Sequence, residues 1–385
     1  MTHMPPPKAK RVAMLFSRGF FPDFRGHKEA LDLVRAGYTV TILAWDRECR
    51  LPTRESLDGF TVERLQFPAL LGKGFAQLHR WLRFWLWLGL TLFRRKYDVI
   101  HANDLDTLPV GWLAAKLTRA KLIFDAREPN YYAYWPAYQY PALLAARLME
   151  RFLSLQSDHV IVCNPYQVGK YGRMGVRRVT IIANYPPLSM VSASAPPLPA
   201  DGEVTLGRIG AIYEDCGIEE IVEAVQLLLA RGKKVRLFLA GRLVDSYRAR
   251  LAELIRPLGD KVELRGAFTH TDLPDLYRHC HISIPAYRPS PWFRHITPVK
   301  FFESIAHGVP VIATDIGGIG DMIRQARCGR VLPAPSAEAI AQTVEELISQ
   351  PTLLREMSSN GMAAIREKYN WDLLTPKLLE LYRTL

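Results

Sequence analysis

Two doubly wound α/β domains facing each other across a cleft are the fold that the sequence predicts, and three observations carry it. At 385 residues the chain is too long for one ordinary core, so two domains of roughly 150–200 residues are the natural division. Short β-branched runs alternate with longer amphipathic stretches almost throughout, a rhythm that means parallel sheets with crossover helices. Finally, PPLSMVSASAPPLPADGE at 186–203 is proline-rich and without periodicity, and reads as a linker between two series of strands.

The first series comprises 11–17 (RVAMLFS), 38–44 (YTVTILA), 97–102 (YDVIHA), 120–126 (AKLIFDA), 158–164 (DHVIVCN) and 179–184 (VTIIAN). The second comprises 204–210 (VTLGRIG), 235–241 (VRLFLAG), 261–268 (KVELRGAF), 281–287 (HISIPAY) and 309–315 (VPVIATD). Amphipathic helical stretches lie between most of them, among them 218–232 (IEEIVEAVQLLLARG) and 336–350 (SAEAIAQTVEELISQ). The first domain is therefore expected at 1–185 and the second at 204–360. In such sheets ligands bind beyond the carboxyl ends of the strands, which would line the cleft.

Composition narrows the class. Apolar residues make up 49% and charged residues 23%, as in a globular protein rather than a disordered one. Five scattered cysteines, with no C-x-x-C, argue against a disulfide framework or structural zinc and for a reducing cytosol. The start, MTHMPPPKAKRV, is polar and leads into a strand without an apolar signal segment. The expected location is cytoplasmic. A net charge of +12 invites nucleic acid, an anionic membrane or a phosphate-bearing substrate. With no helix-turn-helix, zinc-finger or RNA-binding pattern, nucleic acid is not expected.

Two stretches are rich in aromatics. HRWLRFWLWLGLTLFRRK, 79–96, has an uncharged run from Phe84 to Phe93 that is too short to span a bilayer. Trp81, Trp85, Leu88 and Leu92 share one helical face, and arginines flank both ends. Such a segment suits a membrane interface, giving peripheral contact on the inner face. It equally suits a crossover helix with one buried face, and the two readings are compatible. YYAYWPAYQYP, 131–141, could stack on sugar rings or simply pack a loop.

The stretch ITPVKFFESIAHGVPVIATDIGG, 296–318, is the most informative. A helix is expected from near Thr297, with Pro298 in its first turn, to about Ala306, ended by Gly308. Its free N–H groups and dipole make an anion site, and Lys300 adds a full charge. Glu303, one turn on, can accept from two neighbouring hydroxyls. A nucleoside diphosphate offers both a diphosphate and a ribose diol. The plainer alternative is a surface ion pair three residues apart.

These pieces together resemble the family 4 glycosyltransferases. The resemblance rests on GAIYEDCGIEEIVEAVQLL, VRLFLAG, VELRGAFTHTDLPDLYRHCHISIPAY and KFFESIAHGVPVIATDIGGIGDMI, and more loosely on HANDLDTLPVG, FDAREP and IIANYPP. It implies two facing Rossmann-like domains of the GT-B type with an interdomain cleft. Within 361–385, YNWDLLTPKLLELYRTL would be the family's helix that crosses back to the first domain. Glu303 matches the second glutamate of the E-x7-E motif, which holds the donor ribose, while the first falls on His295. The family's diphosphate-binding arginine and lysine fall on Ala211 and Cys216. PVKFFE resembles the P-x-K-x-x-E version of the helix start, so Lys300, with Arg242 or Arg208, would supply the missing charge. Gly26, Gly210, Thr297, Phe268 and the backbone near Ala267 complete the implied donor site.

In the first domain, Arg127 stands at the position of the family's histidine beside the transferred sugar. An arginine cannot be a base at neutral pH but could pair with an anion. Asp104 or Glu128 would orient the attacking hydroxyl, and Asn103, Tyr131 and Tyr132 would meet the acceptor. Helix capping or loop bracing is the competing reading of each carboxylate. The resemblance implies retaining, front-face transfer from a nucleotide sugar, with UDP favoured, to a hydroxyl of a lipid-linked or cell-surface glycan. No metal and no cofactor are expected, the nucleotide sugar being a substrate. A hydrolase or epimerase on the same fold, or a non-catalytic donor-binding partner subunit, are the alternatives.

Overall fold

In the computed structural model, residues 9–20, 24–69, 78–127, 140–198, 202–288 and 297–385 are described. The chain divides into two compact units, Met1–Ala183 with Leu374–Leu385, and Asn184–Leu373.

In the first unit the strands are β1 (Arg11–Phe16), β2 (Thr39–Asp46), β3 (Arg54–Leu57), β4 (Phe60–Gln66), β5 (Val99–Asn103), β6 (Lys121–Ala126), β7 (His159–Val162) and β8 (Val179–Ile181). They form one sheet in the order β3-β4-β2-β1-β5-β6-β7-β8. The expected strands are all present, five of them one to three residues shorter and β2 one residue longer. The hairpin β3–β4 was not anticipated, and its antiparallel pairing corrects the expectation of purely parallel sheets. Its turn is Asp58-Gly59, both at positive φ (43° and 91°), the mirror-image turn that matches strand twist.

The helices are α1 (Phe24–Arg35), α2 (Leu78–Arg95), α3 (Leu108–Thr118), α4 (Tyr140–Gln156) and α5 (Pro165–Met174). From β1 the chain steps to β2 through α1. After β4 it returns to β5 through α2 and then steps the other way through α3, α4 and α5. Because parallel crossovers are right-handed, α1 covers one face of the sheet and α2 to α5 the other. Accordingly α2 packs on α3, α3 on α4 and α4 on α5. Phe84, Leu88 and Leu92, at four-residue spacing, bury one stripe of α2 against the sheet, contributing roughly 2 kcal/mol each.

The second unit has β9 (Val204–Ile209), β10 (Val235–Ala240), β11 (Val262–Arg265), β12 (Ile282–Ser283), β13 (Val311–Thr314) and β14 (Gly329–Leu332). All are parallel, in the order β11-β10-β9-β12-β13-β14. β14 was not anticipated. Its helices are α6 (Ile218–Ala230), α7 (Arg248–Ile255), α8 (Leu273–Arg278), α9 (Val299–Ala306), α10 (Ile319–Ala326), α11 (Ala337–Ile348) and α12 (Pro351–Glu367). Residues 184–198, much of the expected linker, are grouped with this unit; Ser192 N–H donates to Ala306 O at 3.0 Å. The last helix, α13 (Thr375–Arg383), belongs with the first unit, packing on α1 and burying Leu378, Leu381 and Tyr382. In each sheet the strand order reverses once, between β1 and β5 and between β9 and β12. Ligand sites of doubly wound sheets form beyond the strand ends at such reversals.

Candidate functional site

In the second unit the reversal is surrounded by charge. α9 begins after Pro298 and turns Phe301, Phe302 and Ile305 into the core. Lys300 and Glu303 therefore share another face, and Lys300 Nζ lies 2.7 Å from Glu303 Oε2. Glu303 is 1% exposed and its second oxygen, Oε1, is buried without a hydrogen-bond partner. This is not a surface ion pair. A bare buried acceptor costs about 1–3 kcal/mol, so its retention needs a reason.

Around it the strand ends close in. Gly210 follows β9 at φ +139°, and a Cβ there would lie 3.1 Å from both Arg208 Nη1 and Lys300 Cε. Arg208 is 2% exposed, its guanidinium lies 5.0 Å from the Tyr287 ring centroid, and its Nε has no partner. The loop after β12 that carries Tyr287 is pinned to β13, with Tyr287 N–H donating to Thr314 Oγ1 at 3.0 Å. Lys300 Nζ sits 5.4 Å from the centroid of the half-buried Phe268 ring. Thr297 is buried, with its hydroxyl directed at Gly317 O.

So Gly210, Phe268, Lys300 and Glu303 come together, with Arg208 and Tyr287 among them. Ala267 and Arg242 are exposed. Cys216 is fully buried, its thiol donating to Ala211 O at 3.2 Å, and burial pushes that thiol up; it fills space rather than carrying charge. His295 lies outside the described residues, as do Glu128, Tyr131 and Tyr132. Gly26 is buried within α1, in the first unit.

The first unit has its own polar centre beyond β1, β5 and β6. Asp125 accepts from Arg25 Nη2 at 2.7 Å and from Arg127 Nε at 2.9 Å, while Glu29 accepts from Arg25 Nε at 2.9 Å. Burial alone would raise the Asp125 carboxyl, but Arg25 and Arg127 outweigh it and hold it well below the usual range. Arg127 is thus bound into an ion network and 6% exposed. His101 Nδ1 shares a hydrogen bond with Tyr382 Oη at 2.7 Å, and its Nε2 lies 3.7 Å from Asp125 Oδ2. Glu29, His101 and Asp125 could converge on a cation, with ligand atoms within 4.8 Å of one another. The two guanidiniums already neutralise both carboxylates and would repel one. None of Arg25, Glu29, His101 or Tyr382 was singled out from sequence; an Arg-x-x-x-Glu spacing on α1 was the one visible signal.

Beside this network, Asn103 ends β5 and Asp104 follows it. Asp104 takes φ +64° and its Oδ2 lies 3.8 Å from Arg18. Ser17 donates to Asp106 Oδ2 at 2.5 Å. Both side-chain atoms of Asn103, and Oδ1 of Asp104 and of Asp106, are buried without partners. Burial pushes Asp104 up to about 7 and raises Asp106 as well. The arrangement can hold a polyhydroxyl group, offering amide and carboxyl partners near neutral charge.

Two parallel doubly wound units of this kind define the GT-B class, and solved structures share the fold. Sucrose-phosphate synthase from Thermosynechococcus elongatus matches with TM-score 0.79 at 21% identity, over 98% of this chain and 99% of its own. Anabaena HepE, solved in complex with UDP-glucose, matches with TM-score 0.73 at 16% identity, over 97% and 100%. The family described as "Glycosyl transferase 4-like domain" matches residues 28–185, and that described as "Glycosyl transferases group 1" matches residues 203–350. The chain belongs to these glycosyltransferases. Among curated relatives, the D-inositol 3-phosphate glycosyltransferase of Rhodococcus erythropolis is 26% identical over 74% of this chain and 68% of its own length. The capsular polysaccharide biosynthesis glycosyltransferase CapM of Staphylococcus aureus is 24% identical over 46% of each. The chain thus spans less than half the length of the second.

Proposed function

We propose that the chain is a retaining glycosyltransferase, taking a UDP-sugar on the second unit and a hydroxyl acceptor, from a lipid-linked or cell-surface glycan, on the first. The observation that carries the donor reading is the bare Oε1 of Glu303, whose other oxygen is held by Lys300. Glu303 accepts from the ribose diol. Lys300, Arg208 and the first N–H groups of α9 face the diphosphate and stabilise the charge that develops as it leaves. These cations stand in for the family's arginine and lysine, replaced by Ala211 and Cys216, and the reaction proceeds without a metal. The acceptor hydroxyl enters from the face the diphosphate leaves, which retains configuration, and the departing phosphate takes its proton. Asn103 and Asp104 orient that hydroxyl. Uridine is favoured because HepE was solved with UDP-glucose.

Calorimetric titration of UDP, GDP, ADP and TDP tests this reading. UDP is expected to bind best, and Lys300→Ala and Glu303→Ala each to weaken it by about 1–3 kcal/mol. If no nucleotide binds while both variants stay folded, the donor reading is wrong. The locking of Arg127 into an ion network, at the position of the family histidine, favours as second reading a donor-binding partner subunit. Following UDP-glucose by NMR separates the two: a catalyst consumes it with an acceptor present and keeps the anomeric configuration, and a binding subunit leaves it intact.

A further inference from the structure

One side of the first unit has more apolar surface than its core uses. α2 carries two stripes. Phe84, Leu88 and Leu92 point into the core, and Leu82, Leu86, Leu90 and Phe93 point out, between 44% and 63% exposed. The tryptophans do not form the outer stripe. Trp81 packs edge-on against Trp45 at 5.1 Å, and Trp85 donates Nε1–H to Asp106 O at 2.8 Å. The outer stripe continues on the neighbouring helices, with Leu113 and Leu117 on α3 and Leu148 and Phe152 on α4, each more than half exposed. α3 packs on both α2 and α4, and Trp112 meets Phe152 at 5.7 Å, so these residues belong to one continuous face.

The charge on that face has one sign. Arg83 and Arg94 on α2, Lys116 on α3, and Arg147 and Arg151 on α4 are exposed, whereas Arg95 turns away to Glu63 of β4 at 2.9 Å. Among the described residues of the three helices the one carboxylate is Glu150, which is buried and accepts from Lys170 and Tyr171. An exposed apolar patch of this extent marks an interaction surface. A second copy of this chain, docking by the same face, would set these five cations against like charge. An anionic bilayer meets both features at once, with acyl chains for the leucines and phosphates for the cations. Among the described residues no helix is long and apolar enough to cross a membrane, so the face would rest on the surface.

We propose that the outward face of α2, α3 and α4 docks the protein on an anionic membrane surface. The proposal does not depend on what the second unit binds. Its test is flotation of the full chain with phosphatidylcholine vesicles, with and without phosphatidylglycerol, at low and high salt. The chain floats with the anionic vesicles, and high salt or loss of phosphatidylglycerol weakens binding about tenfold or more. Leu86→Asn/Leu117→Asn/Leu148→Asn, at exposed sites, weakens it by a similar factor while leaving nucleotide binding unchanged. Absence of flotation by the wild type, or flotation that the triple variant does not reduce, overturns the proposal. So does a dimer, seen by sedimentation without vesicles, that the triple variant breaks. Should that variant unfold, a polarity-sensitive dye on Leu86→Cys in a Cys49→Ser background gives an independent reading. The dye shifts to the blue on anionic vesicles, while the same dye on Arg35→Cys, at the end of α1 on the opposite side of the sheet, does not. Equal responses at the two positions also overturn it.

Discussion

Glu303 shows how far residue letters reach. The three-residue spacing of PVKFFE is enough to put Lys300 and Glu303 on one helical face, because helical geometry allows little else. What spacing cannot give is depth. Glu303 is buried because Phe301 and Phe302 draw α9 into the core, and its bare oxygen became visible only in three dimensions. Arg208 and Arg242 were equal candidates for the second cation, each at the end of a strand. The structure sets Arg208 against Gly210 and leaves Arg242 exposed, a difference of side-chain direction that sequence does not encode. Asp104 yields a prediction at this scale. Burial pushes its carboxyl up to about 7, so the fold favours the neutral acid. Its stabilising contribution is whole below the ordinary carboxylate range, declines as pH rises, and is gone above about 7. Asp104→Asn should therefore gain stability relative to wild type between about pH 5 and pH 8, by about 1–3 kcal/mol. Urea unfolding at the two values measures it, and an unchanged difference would remove the buried acid from the account.

Among elements, the long apolar runs were legible because a buried parallel strand must be nearly continuous in Val, Ile and Leu. The β3–β4 hairpin was not. RESL is almost wholly polar and FTVERLQ sets Glu63 beside Arg64, so neither reads as an apolar run, and the Asp58-Gly59 turn between them was the missed signal. GRVL, as β14, is simply too short to stand out. α2 was legible as a helix, and its two stripes explain why one reading put it in the core and another at a membrane. Where strand ends meet near the candidate donor site, Gly241 sits at φ +149°, and a Cβ there would lie 1.8 Å from Gly210 O. Gly241→Ala must push these strand ends apart. It should cost about 2–4 kcal/mol and weaken nucleotide binding beyond the loss of folded protein. Denaturant unfolding alongside titration of the folded fraction distinguishes the two effects, and an alanine that left both unchanged would show the contact to be loose.

For the whole molecule, the informative feature is that Leu374–Leu385 packs with the first unit although Asn184–Leu373 intervenes. Tyr382 completes a buried hydrogen bond to His101, and Thr375 Oγ1 donates to Asp32 at 2.6 Å. Tyr382→Phe leaves the His101 ring nitrogen bare in the interior, so it should destabilise the first unit by about 1–2 kcal/mol. Nucleotide binding by the second unit should not change; a shift in it would mean that the two units do not respond separately. The same connectivity has a consequence during synthesis. Domains usually fold in the order in which they leave the ribosome. Here the second unit is one uninterrupted segment, whereas the first must wait, with the side of α1 that receives α13 uncovered, until all of that segment has been made. The unit that emerges first is therefore the one that finishes last, and during that interval it is the part of the nascent chain that a chaperone would have to shield.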